Sequence, residues 1–111
     1  SFAKGADGTI VAIVDFEGTA GDFGVSFGSL RVPLTEGGAK SGTCTWLGQS
    51  FPDGSPWVTG SGDGTWEQVE GLNRWKLSFP VIEVSDGSRI RSEGELDLET
   101  RGFNGQLFDA S

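Results

Sequence analysis

The sequence predicts an all-β fold: a small antiparallel meander curled into a barrel, with little or no helix. Three observations carry this. Short runs rich in Val, Ile, Thr, Phe and Trp recur along the chain, glycine-bearing turns separate them, and no stretch longer than a turn or two repeats its apolar residues at the 3.6-residue period of a helix. Nineteen glycines against four prolines in 111 residues fall between these runs, where they read as turn, bulge and kink positions of a sheet. One domain, residues 1-111, is the expected organisation, because a chain of this length buries roughly two-thirds of its unfolded surface around a single core. About seven or eight strands would leave two exposed edges unless the sheet closes, which favours a barrel over the alternative of a two-layer sandwich.

Taken in order, Thr9 to Phe16 is a β-branched run with apolar side chains on both parities, the pattern of a strand covered on both faces. Gly18 to Gly24 is a turn-rich break. Phe23, Val25 and Phe27 then hold one parity and Leu30, Val32 and Leu34 the other, which predicts a bulge near Gly28. Thr35 to Gly42 reads as a long polar loop, followed by a strand holding Cys44 and Trp46 and a Pro52-Asp53-Gly54 turn. Trp57 to Thr59 resumes extended chain. Gly60 to Gly64 opens a strand over Thr65 to Glu70, and Gly71-Leu72-Asn73 turns into an amphipathic strand in which Trp75, Leu77, Phe79 and Val81 share one side. Pro80 cannot donate to a ladder and marks a bulge or edge, and the apolar parity passes to Ile82 and Val84 just after it. Ser85 to Ser88 is a hairpin turn into Arg89 to Leu98. There Ile90, Ser92, Gly94, Leu96 and Leu98 face one way and Arg89, Arg91, Glu93, Glu95 and Asp97 the other. Thr100-Arg101-Gly102 turns into a last strand with Phe103, Leu107 and Phe108. Each Asp-Gly, at Asp7-Gly8, Asp53-Gly54, Asp63-Gly64 and Asp86-Gly87, reads as a turn, since a calcium loop needs more oxygens at short spacing.

Composition narrows the function. The hydrophobic share of 35%, with eight Phe and four Trp, supplies a core. A net charge of −8 opposes nucleic acid and anionic membrane surfaces, whose binding needs Lys and Arg. No stretch is long and apolar enough to span a bilayer and none has the shape of a signal peptide, and with one cysteine the expected compartment is the cytoplasm. Cys44 reads as a small buried hydrophobe. The chain holds no His, Tyr or Met, which leaves no imidazole for a Ser or Cys nucleophile, no usual set of zinc ligands and few haem ligands. With no phosphate-binding glycine motif either, no cofactor and no metal are expected. Chemistry in such a chain falls to carboxylates, Arg, Lys and hydroxyls, and so to proton shuttling, isomerisation, hydration or cyclisation.

The segment from Gly60 to Leu77, with Gly60-Ser61-Gly62-Asp63-Gly64, Thr65-Trp66-Glu67-Gln68, Gly71 and Arg74-Trp75-Lys76-Leu77, resembles the glycine-rich strand pair of the allene oxide cyclase-like barrels. That group includes the plant cyclases and the dirigent proteins. The resemblance implies a calycin-like small barrel that binds apolar molecules inside and, where catalytic, steers cyclisation or isomerisation by shape and a few polar groups.

Three functional expectations follow. The first is a cofactor-independent isomerase, cyclase or related lyase acting on a small apolar, partly oxygenated substrate. A lumen carboxylate among Glu67, Glu83, Glu93 and Glu95 would be its acid or base, with Arg74 or Arg91 in support and Trp46, Trp57, Trp66, Trp75 and Phe79 against the substrate. The Arg89-to-Asp97 row could instead be a solvated outer face, and the tryptophans could be plain core, pocket walls or an exposed platform for sugar rings, with Trp57 and Trp66 favoured at the rim. The second expectation is a binding protein for a hydrophobic ligand or a glycan, without turnover. The third is a structural or assembly component, whose exposed edges and acidic surface mediate a homo-oligomer or a larger complex.

Overall fold

A computed structural model describes residues 1–35, 37–71, 73–100 and 102–110. It is all-β. The strands are β1 (Phe2–Lys4), β2 (Ile10–Thr19), β3 (Val25–Leu34), β4 (Ser41–Phe51), β5 (Val58–Gln68), β6 (Arg74–Val84), β7 (Arg89–Asp97) and β8 (Gly102–Asp109). All pair antiparallel with their sequence neighbours in one sheet ordered β1 through β8, a pure meander rather than a two-layer sandwich. A 3-10 turn at Gly21–Phe23 is the only helical element among the described residues. The predicted turn and loop positions Glu36, Leu72 and Arg101 lie outside the described residues.

The sheet curls into a half-barrel. β1 and β8 do not pair with each other, so the curl leaves two edges: β8 on one side, and on the other the stretch of β2 beyond the three residues covered by β1. The edges meet through side chains instead. Phe16 of β2 and Phe103 of β8 touch edge to face across the opening, ring centroids 6.4 Å apart.

Alternation in each strand sends one set of residues to the concave side. Leu30, Cys44, Leu77, Phe79, Ile82 and Leu96 form the buried core there, with Trp46, Trp66 and Trp75 packed against it. Each fully buried Leu, Ile or Phe contributes about 1.5–3 kcal/mol. Curling a sheet this tightly crowds its inner face, and the sequence relieves the crowding with glycine. Gly28, Gly48 and Gly60 stand side by side on β3, β4 and β5, and the indole of Trp46 leans over the first two. A Cβ at Gly48 would lie 2.8 Å from the Trp46 ring, and one at Gly28 would lie 2.7 Å from it. Trp66 covers Gly42 in the same way, and Phe79 covers Gly64.

This arrangement corrects two sequence expectations. No bulge occurs at Gly28: β3 pairs with β2 in unbroken register. The parity shift instead reflects a concave site at Gly28 already filled by Trp46, while Val25 and Phe27 turn to the convex side, where Phe27 stacks on Phe51 at 5.9 Å. Asp63-Gly64 is not a turn either, but lies within β5. Gly64 is there because Phe79 and the Ser78 carbonyl occupy the space of its missing side chain, and Asp63 accepts a hydrogen bond from Thr45 on the convex face at 3.0 Å. The other three Asp-Gly pairs do turn, with φ of 87° at Gly8, 71° at Gly54 and 94° at Gly87. A register shift falls between Phe79 and Ile82, at the predicted Pro80 interruption.

Candidate functional site

The curl encloses a groove of about 680 Å³ on the concave side, within the range of small-molecule sites. Its deep wall is apolar: Leu30 of β3, Trp46 of β4, and Leu77, Phe79 and Ile82 of β6. Phe16 and Phe103, from the two free edges, stand at the mouth, and Phe16 also packs against Trp46 at 6.3 Å. Hydroxyls enter at two places. Ser26 and Ser50 lie 2.7 Å apart towards one end, and Ser26 also donates to the Gly24 carbonyl at 3.2 Å. Ser92 sits on the wall between Phe79 and Leu107 in the sheet register. It is only 5% exposed and is the one buried polar side chain among the described residues. Asp15 and Glu17 lie at the rim.

The predicted aromatic residues divide. Trp46 and Phe79 line the groove. Trp66 and Trp75 project to the concave side but pack against the core, and the Trp66 Nε1 is buried without a hydrogen-bond partner among the described residues where the ring covers Gly42. Trp57 precedes β5, is 59% exposed and does not line the groove. Neither rim candidate is therefore at the rim, and the Gly60-to-Gly64 segment between them lies within β5.

The predicted acid and base groups are on the other face. The Arg89-to-Asp97 row has the convex parity of β7, opposite the parity that carries Ile90, Ser92 and Leu96 inward. Glu67, Lys76 and Glu95 stand in register across β5, β6 and β7. With Glu93 they surround a shallow convex dish of about 400 Å³. Three of the four predicted glutamates thus come together, but with the sheet between them and the groove. Glu93 accepts from Ser78 at 3.0 Å and pairs with Arg91 at 3.4 Å, and Arg91 lies over the Phe108 ring at 4.2 Å. Glu83 stands apart, opposite Ser61 and Arg89. Arg74 pairs with Asp97 at 3.4 Å. These exposed pairs each add about 0.2–1 kcal/mol, as a solvated sheet face does.

Cys44 is 2% exposed, and burial, with the Asp63 charge adding to it, pushes its thiol up to about 11. A thiol so held is neutral and unreactive near pH 7. Among the described residues no group of three or more His, Cys, Asp or Glu could hold a metal ion, and no helix is long and apolar enough to cross a membrane.

Sequence reasoning missed Phe16, Phe103 and the three serines. Ser92 carried a signal, since it shares the parity of Ile90 and Leu96 on an otherwise clean amphipathic strand. Phe16 and Phe103 carried none, because their meeting depends on how far the sheet curls.

Fold and site together define an open antiparallel half-barrel with an apolar concave groove and a convex face that is charged over β5, β6 and β7. In comparisons with protein-family models, curated proteins and solved structures, the chain matches none.

Proposed function

We propose that this protein binds a small, largely apolar molecule in the concave groove, and that binding rather than turnover is its role. The observation that carries this reading is the groove itself, about 680 Å³ walled by Leu30, Trp46, Leu77 and Phe79 and open along the slot between β2 and β8. A folded chain that keeps so much apolar wall unfilled gains free energy when a ligand covers it, about 25 cal/mol for each Å² removed from water. The resemblance of Gly60 to Leu77 to barrels that hold apolar molecules points the same way. The acid and base groups expected for catalysis lie across the sheet, which favours capture over chemistry.

Gly60 provides the test. It lines the groove, and a Cβ there would meet nothing closer than Ile82 Cγ2 at 3.4 Å, so Gly60→Leu places bulk in the cavity without breaking the strand. Titration with the neutral dye Nile red should show saturable binding to the native protein and at least a tenfold weaker affinity for the variant, at an unchanged or raised melting temperature. Equal affinity in both proteins would place the dye elsewhere and remove the proposal.

A further inference from the structure

Building on the groove as a ligand site, we infer that its ligand is uncharged and carries a hydroxyl or carbonyl oxygen on a hydrocarbon body, with that oxygen seated on Ser92. The hydroxyl of Ser92 is set in an apolar wall, flanked in register by Phe79 on β6 and Leu107 on β8. The residue is 5% exposed and lines the groove, and its hydroxyl has no hydrogen-bond partner among the described residues, whereas Ser26, Ser50 and Ser78 all have one. A ligand oxygen at that point gives the hydroxyl a partner inside the apolar wall, whereas a purely apolar group there strips it of water and leaves it without one. A wall built only to pack would carry Ala or Val in this position.

Charge decides the class of oxygen. Among the described residues no Lys or Arg lines the groove, while Asp15 and Glu17 stand at its rim and the chain carries a net charge of −8. A carboxylate or phosphate ligand would enter a low-dielectric cleft with no counter-charge and against the field of the rim. An alcohol or ketone meets no such barrier. The Ser26–Ser50 pair extends the same preference: if Ser26 gives its proton to Gly24, it takes one from Ser50, and the Ser50 oxygen keeps free lone pairs for a hydroxyl donor.

The experiment compares decan-1-ol, 1-chlorodecane and decanoate at pH 8, with binding measured by Trp fluorescence and by calorimetry on the native chain and on Ser92→Ala. The alcohol should bind the native protein at least tenfold more tightly than decanoate. Ser92→Ala should lose about fivefold in affinity for the alcohol and none for the chloride, which makes no comparable hydrogen bond. Decanoate binding as tightly as the alcohol, or a Ser92→Ala variant that holds the alcohol unchanged, would overturn the inference and leave the groove reading standing. If none of the three binds, the groove reading itself falls. Circular dichroism of the variant separates lost contact from lost fold.

Discussion

Trp46 and Gly48 supply a direct test of how this sheet achieves its curl. Replacing Gly48 with Ala puts a methyl group 2.8 Å from Cζ2 and Nε1 of the indole and 2.9 Å from Cε2, where carbon atoms prefer about 3.5–4.0 Å. The ring has to retreat by up to an ångström against Phe16 and the core, a forced repacking that costs about 1–3 kcal/mol. The three nearest contacts all come from the one side chain, so most of the cost should disappear when that side chain is shortened. In a Trp46→Leu background, itself about 2–4 kcal/mol less stable, Gly48→Ala should be neutral or slightly stabilising, because Ala restricts the unfolded chain more than Gly does. Gly28→Ala is the control. Its Cβ would collide with the Leu47 carbonyl and lie 2.7 Å from Gly48 Cα, both backbone atoms, so its cost should stay at about 3 kcal/mol or more with either residue at position 46. Urea unfolding of the single and double variants, followed by far-ultraviolet circular dichroism, gives the coupling. A coupling energy above about 1 kcal/mol for Gly48 with Trp46 is expected. Additivity within about 0.5 kcal/mol would mean that the indole does not hold the glycine pair and that the reasoning is wrong.

Two further results are expected. The Cys44 thiol is raised from 9.0 to about 11 in the folded chain. Its contribution is complete below pH 9 and is lost as pH rises through 11, since the unfolded chain releases the proton first. Unfolding free energy of the native protein should therefore fall by about 2–3 kcal/mol over that interval relative to Cys44→Ala, and parallel pH profiles of the two proteins would contradict the buried, neutral thiol. On the convex face, the triple variant Glu67→Gln, Glu93→Gln, Glu95→Gln should bind Nile red within twofold of the native protein. A larger change would connect the dish to the groove.

Much of the fold could be read from local pattern. The inward set of β6 and the interruption at Pro80 followed from alternation and from the missing N–H of proline, and the Ile90–Leu96 face of β7 followed from the near-complete sorting of charge. The errors fell where a local signal met a distant partner. Asp63-Gly64 carries turn chemistry, yet ten residues of β5 are held in register by β4, and Phe79 fills the glycine space. The site was legible by residue type more than by place. Trp46 and Phe79 were identified and do line the groove, while Trp66 and Trp75 share their face but are spent on packing. Alternation assigns a side of the sheet. It does not assign a height along the strand or say which residues of separate strands converge, and so neither the Phe16 contact with Phe103 nor the position of the glutamates relative to the cavity followed from it.

The unsealed seam between β2 and β8 also bears on kinetics. In a closed barrel a guest must arrive through one end or wait for a strand pair to separate. Under the binding role proposed above, a ligand would enter sideways by parting the Phe16–Phe103 ring contact, with no strand pairing to break between β2 and β8. Its residence time would then be set by how well it fits the groove rather than by a gate.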